Sequence, residues 1–139
     1  RPGHPLLNVP QLGLRDVVGG GWIVSPQGSV LRHRFDLMFR EAGLAPPTQL
    51  IETASLLFVT KMLQQTDFIS VVPTEVARYY ATYGMVAILP MNLSCSMDAF
   101  GIITRTDWLL SPAANVLLRA LKTSAVSSYG CPMDLKNAS

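Results

Sequence analysis

Charge is scarce in this chain. Only 14% of its 139 residues are Asp, Glu, Lys or Arg, against roughly a quarter in an ordinary soluble domain. The net charge of +2 is carried by scattered Lys and Arg with no dense basic run, so this segment has no electrostatic case for binding nucleic acid. Cysteine is nearly missing too. Cys95 and Cys131 stand far apart and form neither a CxxC pair nor a metal-ligand spacing. They read as free thiols of a reducing compartment, a disulfide between them being the other reading. No apolar run approaches the roughly 20 residues of a membrane span. Arg1-Pro2-Gly3-His4-Pro5 lacks the pattern of a signal peptide. The Pro-rich start without an initiator Met reads as a piece of a longer chain. Catalytic signatures are missing as well. Ser25 and Ser94 lack a Gly-x-Ser-x-Gly elbow, and there is no Walker loop. Gly19-Gly20-Gly21 precedes a strand-like run, where a dinucleotide fingerprint would follow one. No pairing rule makes Glu52, Asp67 or Glu75 an acid. His33, between Arg32 and Arg34, reads as a solvent or subunit-interface residue. His4 has no nucleophile near it in sequence.

Apolar residues, by contrast, are plentiful: 49% of the chain is hydrophobic, enough for a packed core. With so little charge, some of that apolar surface is expected to lie against a partner or against further chain. Its arrangement is the main signal. Three times an apolar strand-like run stops at a Ser or Thr and becomes a helix-like run. These are Trp22-Ile23-Val24-Ser25-Pro26-Gln27-Gly28-Ser29, Leu50-Ile51-Glu52-Thr53-Ala54-Ser55 and Phe68-Ile69-Ser70-Val71-Val72-Pro73-Thr74. Strand–helix alternation builds a parallel sheet, and such sheets bind ligands outside the carboxyl ends of their strands. Free N–H groups and the positive helix end favour an anion there.

Along the chain, residues 1–21 read as extended, with Leu12, Leu14 and Val17 forming a short turn before the glycines. Ser29 is a good N-cap for a helix over residues 30–42, with Leu31, Phe35, Met38 and Phe39 on one face. Arg32, Asp36 and Arg40 form an i,i+4 series on another face. Gly43 ends this helix as a left-handed cap, and Pro46-Pro47 prevent its continuation. Residues 48–52 read as a strand, and residues 54–65 as a helix offering Leu57, Val59, Met62 and Leu63 for burial. A third strand covers residues 68–72. A helix over residues 75–83 follows, with Thr74 as N-cap and Gly84 as stop. Residues 85–89 and 99–104 read as further strands, with an irregular crossover at 91–97. Ser111-Pro112 opens a last helix through about residue 122, and residues 125–139 read as a frayed tail. Tyr79, Tyr80 and Tyr83, at helical spacing, read as core or interface packing.

This order of segments resembles the effector-binding domain of the LysR-type transcriptional regulators. His4-Pro5-Leu6 is similar to the HPL element before that domain's second subdomain. Leu14-Arg15-Asp16-Val17 followed by Trp22-Ile23 looks like the family's L-x-D-L…W-I passage. Gly28-Ser29-x-x-Arg32 and Phe39-x-x-x-Gly43-Leu44-x-Pro46 resemble its helix and the turn after it. Ile69-x-x-Val72-Pro73 and Ser111-Pro112 match later positions, so the likeness covers about residues 4–123. One departure stands out. Where many members carry Gly-x-Gly before the third strand, this chain has Gln65-Thr66-Asp67.

The resemblance implies an α/β fold of the periplasmic-binding-protein-like type II, two lobes around a ligand cleft. Residues 1–17 would leave the first lobe, 18–89 would form the second, and 90–124 would return to the first. The crossovers near 6–17 and 90–97 would be the hinge, and 125–139 a flexible tail. It implies a cytoplasmic, non-enzymatic sensor of a small effector, without cofactor or metal, working as a homodimer or homotetramer. The helix over residues 30–42 is expected to face a partner. DNA would be engaged only through an N-terminal winged helix-turn-helix that this chain does not include. Of the three junctions, Thr53, Ala54 and Ser55 would supply the second-lobe wall of the cleft. Ser25, Gln27, Gly28 and Ser29 would form a neighbouring turn, and Pro73 and Thr74 a third. The plainer reading is that Thr53 and Ser55 only cap their helix, that residues 25–29 are only a tight strand–helix turn and that the third junction is only a cap, and for the second and third sets it is preferred. The runner-up function is a transport-type solute-binding protein or a small α/β enzyme on the same sheet. A signal peptide upstream would favour the transport protein, and a winged helix-turn-helix the regulator.

Overall fold

The computed structural model describes residues 1–93, 101–105 and 109–129. The chain divides into two compact units, Arg1–Asp98 and Ala99–Ser139.

In the first unit a 3-10 turn, Pro5–Asn8, and a single helical turn, α1 (Leu14–Val17), lead to β1 (Trp22–Val24). Helix α2 (Val30–Glu41), β2 (Leu50–Glu52), α3 (Leu56–Gln65), β3 (Ile69–Ser70) and α4 (Thr74–Thr82) follow. The strands make one parallel sheet in the order β2-β1-β3. Trp22, Ile23 and Val24 pair with Leu50, Ile51 and Glu52 on one side, and Trp22 and Ile23 with Ile69 and Ser70 on the other. Being central, β1 is buried at all three positions, as a strand covered on both faces must be.

The core gathers where α2 meets the sheet. Trp22, Val24, Phe35, Met38, Phe39 and Ile69 pack together with Leu12 and Val17. The rings of Trp22, Phe35 and Phe39 contact one another edge to face at 5.1–5.7 Å, the geometry that the ring quadrupoles favour. The buried indole N–H of Trp22 donates to the Val17 carbonyl at 3.0 Å, so α1 serves as acceptor as well as packing surface. Helix α2 stops where the sequence says it should. Gly43 (φ 65°) donates to the Arg40 carbonyl and Leu44 to that of Phe39, satisfying the last carbonyls of the helix. Just before β1, a Cβ on Gly21 would lie 2.7 Å from the Phe68 ring, so only glycine lets that ring close over the start of β1. At the departure from the family pattern, Thr66 replaces the glycine turn by hydrogen bonding. Its N–H and hydroxyl both donate to the Met62 carbonyl, and its oxygen accepts from the Phe68 N–H.

Several expected elements differ. Residues 85–89 form no strand, since β3 is only two residues long and offers them no ladder; Leu89 packs on the core instead. Residues 101–104 are likewise unpaired, while 99 and 100 lie outside the described residues, as do Ser94, Cys95 and Cys131. Helix α3 begins at Leu56, not 54, because Ser55 takes the cap. Within α3, Val59 is buried but Leu57 is 71% exposed. Pro73, not Thr74, is the N-cap of α4, and it offers no side-chain acceptor. Tyr79 on α4 and Tyr83 at its C-cap are 60% and 63% exposed, which removes core packing as their role. In the second unit, α5 (Pro112–Tyr129) is capped by Ser111, whose hydroxyl accepts from the Ala114 N–H. It runs past residue 122, so residues 125–129 are helix, not frayed tail. Small helix-compatible residues, Ser124, Ala125, Ser127 and Ser128, contain neither Gly nor Pro to stop it.

Candidate functional site at the carboxyl edge of the sheet

Because β1, β2 and β3 are parallel, all three Ser/Thr junctions leave the sheet at one edge. Their order across that edge is residues 53–55, then 25–29, then 71–74. The chain moves from β1 outward to β2, then crosses back to place β3 on the other side of β1. Ligand crevices in open α/β sheets form at such a reversal, outside the carboxyl ends. Here the reversal lies between β1 and β3, flanked by the Ser25 and Pro73 junctions, with Thr53 one strand away. Neighbouring strands are about 4.8 Å apart, so a small organic molecule can reach two junctions at once.

At the β2 end, Thr53 donates its N–H to the Val24 carbonyl at 3.0 Å, locking this junction to the central strand. The Thr53 hydroxyl oxygen accepts from the Ser55 N–H at 3.1 Å, and the Ser55 hydroxyl oxygen accepts from the Phe58 N–H at 3.3 Å. The Ser55 oxygen therefore caps α3, while the Thr53 oxygen closes a turn onto the Ser55 N–H just ahead of the helix. Accepting leaves each hydroxyl proton uncommitted. The first N–H groups of α3, on Leu56 and Leu57, have no acceptor within the helix. Ala54 and Ser55 are exposed and Thr53 half-buried. The arrangement thus presents O–H and N–H donors side by side, which suits a carboxylate or another oxyanion.

The β1 junction is more self-contained. The Ser29 hydroxyl donates to the Pro26 carbonyl at 2.7 Å and accepts from the Arg32 N–H at 3.2 Å, so its one proton is committed within the turn. Gly28 adopts φ 80° with open space around it; the turn needs its left-handed backbone. Ser25 is half-buried, and its hydroxyl makes no hydrogen bond among the described residues. Gln27 is exposed. Its N–H donates to Glu52 Oε1 at 3.3 Å. At the third junction Pro73 and Thr74 are exposed, and the Ser70 hydroxyl donates to the Ile23 carbonyl at 2.8 Å, fastening β3 to β1.

A groove of about 550 Å³ opens on the β3 side, between α3, α4 and residues 86–93. Its walls are mostly apolar, with Leu56, Val59, Leu63, Val76 and Tyr80 among them. Of the nine predicted site residues only Thr74 lines it. The predicted residues therefore share the carboxyl edge without sharing this groove.

Sequence reasoning did not pair Glu52 with Arg32. Arg32 is buried at 8% exposure. Its NH1 donates to Glu52 Oε2 and its Nε to Asp36 Oδ1, both at 3.0 Å. The i,i+4 half of this was legible, but the half reaching β2 was not. His4 is buried, and its role is structural. Its Nδ1 accepts from the Leu6 N–H at 3.1 Å, so Nε2 carries the proton toward the Asp67 carbonyl 3.1 Å away. His33 lies exposed on α2. No cluster of three His, Cys, Asp or Glu able to hold a metal occurs among the described residues. No helix among them is long and apolar enough to cross a membrane.

Comparison with known proteins agrees with this architecture. The chain is 35% identical over 126 residues to the HTH-type transcriptional regulator GbpR of Azospirillum brasilense, covering 90% of this chain and 37% of that protein. It is 32% identical over 122 residues to the HTH-type transcriptional regulator GalR of Pseudomonas putida, covering 88% and 30%. An uncharacterized HTH-type transcriptional regulator of Escherichia coli, YdcI, is 27% identical over 124 residues, covering 89% and 40%. The chain thus spans between 30% and 40% of the length of these relatives. No solved structure matches it significantly. The family model of the LysR substrate binding domain matches residues 1–125, and with its small parallel α/β sheet the chain belongs to the LysR substrate-binding domain family.

Proposed function

We propose that this chain is the effector-sensing part of a LysR-type transcriptional regulator, and that its effector is a small anionic organic molecule. The observation that carries this is the convergence of three strand-to-helix junctions on one carboxyl edge, with donor groups at Thr53 and Ser55. The effector's anionic group sits against Thr53, Ala54 and Ser55, taking O–H and N–H donors at the start of α3. Ser25, Gln27, Gly28 and Ser29 shape the neighbouring wall, and Pro73 and Thr74 the far side of the reversal. Residues 18–89 act as the second lobe and 90–124 as the return to the first, hinged near 6–17 and 90–97. The opposing wall comes from first-lobe residues of the full-length protein.

Binding carries information only if the effector prefers one arrangement of lobes and subunits over another. In the full-length protein, a cytoplasmic homodimer or homotetramer, that preference alters how paired DNA-binding domains engage a promoter. No catalytic step and no cofactor enter this account. Isothermal titration of organic acids into a protein containing both lobes tests it. A Thr53→Ala/Ser55→Ala double variant should bind about ten-fold or more weakly, since it loses two hydrogen bonds to a charged group. Unchanged affinity rejects these two residues as contacts. A winged helix-turn-helix encoded upstream supports the regulator, whereas a signal peptide there supports a transport-type binding protein instead.

A further inference from the structure

Glu52 stands at the end of β2, beside the proposed anion site, where an unpaired carboxylate would repel the ligand. It is not unpaired. Its Oε2 accepts from Arg32 NH1 at 3.0 Å, and its Oε1 accepts from the Gln27 N–H at 3.3 Å. Arg32 belongs to α2, Gln27 to the turn that opens α2, and Glu52 precedes Thr53 in the chain. One side chain therefore bolts the β1 junction to the β2 junction. The backbone bond from Thr53 to the Val24 carbonyl crosses the same gap. Arg32 is itself steered by Asp36, one turn along α2, so its buried guanidinium is held on both sides. Both carboxylate oxygens of Glu52 are thus engaged inside the protein, one by a guanidinium and one by a backbone N–H.

We infer that Arg32 and Glu52 are positioning residues for the effector edge, fixing the separation and orientation of the β1 and β2 junctions so that the donors at Thr53 and Ser55 converge. This rests on the proposed effector-binding reading. Neither residue touches the effector. Arg32 holds Glu52, Glu52 holds Gln27, and the start of α3 follows from the register so fixed. Arg32 also offsets the Glu52 charge that would otherwise face an anion.

Hydrogen-exchange mass spectrometry on the full-length protein tests the inference, with inorganic sulfate as the anion probe. Without sulfate, Arg32→Gln should speed exchange about ten-fold across residues 25–29 and 52–56, because a charge-assisted contact is lost. Exchange in the second half of α2, around Phe39, should stay as in the wild type, and Arg32→Lys should recover part of the protection. Should Arg32→Gln fail to fold, Glu52→Ala removes the same contact from a half-exposed position while leaving Arg32 on Asp36. With sulfate, wild-type protection across residues 53–58 should need about ten-fold more sulfate in the Gln variant, and less than that in the Lys variant. Wild-type exchange at 25–29 and 52–56 in Arg32→Gln or Glu52→Ala overturns the brace, whatever binds. Faster exchange with an unchanged sulfate response overturns its positioning role alone. Faster exchange with no sulfate response even in the wild type overturns the effector reading of this edge, and the positioning role with it.

Discussion

At the scale of single residues, Thr53 and Ser55 show how one hydroxyl can serve two readings. Each oxygen caps a neighbouring N–H, and each proton remains available to a ligand. Capping and binding are thus compatible, and only a ligand titration separates them. Ser29 is the contrast, since its one proton is committed within the turn. Gly28 makes a purely conformational demand. It sits at φ 80° with nothing near a would-be Cβ, so Gly28→Ala should lower stability by about 1–2 kcal/mol through left-handed strain. Urea unfolding measures this, and an unchanged midpoint would mean that the turn flips at no cost. Ser and Gly at these positions were legible because caps and left-handed turns are local. The Arg32–Glu52 pair was not, because it joins residues 20 apart in sequence across two elements.

Among the elements, α2 was the most legible and the strand expected over residues 85–89 the least. An N-cap serine, an apolar stripe and a terminal glycine all report the same helix, and each acts within a turn or two of its own position. Val30–Glu41 matches that expectation to within a residue. Phe39 is fully buried and meets both Trp22 and Phe35. Phe39→Ala should therefore cost about 3–5 kcal/mol, read as a lowered unfolding midpoint, whereas Leu57→Ala, on the exposed side of α3, should cost little. Strands behave differently. Residues 85–89 are as apolar as β1, yet a strand exists only where a neighbour offers its backbone. No ladder reaches them, and residues 86–89 line the groove instead. Composition reports burial well and pairing poorly. The helix at Thr74 shows the same limit at a cap: Ser/Thr before an apolar run suggested the cap, but Pro73 occupies it.

For the whole molecule, low charge has a visible counterpart. Leu57, Tyr79, Tyr83 and Ile88 are more than half exposed in the first unit, and Val116 and Leu117 on α5 of the second. Apolar surface on this scale favours association, so the isolated chain should self-associate, with light scattering giving a mass above the monomer as concentration rises. A monomeric mass at high concentration would show that this surface tolerates water. What the sequence by itself determined was the repeating unit. Apolar runs ending in Ser or Thr before amphipathic runs specify strands, caps and helices by interactions within a few residues, and their order specifies the family. What only the tertiary structure decided was adjacency. The order β2-β1-β3 arises because the chain crosses back over β1, and that crossing puts three distant junctions on one edge, sets the reversal between β1 and β3, and carries Arg32 to Glu52. Such long-range placement depends on which faces of helix and sheet bury each other, a property of the packed molecule that no local run of residues contains.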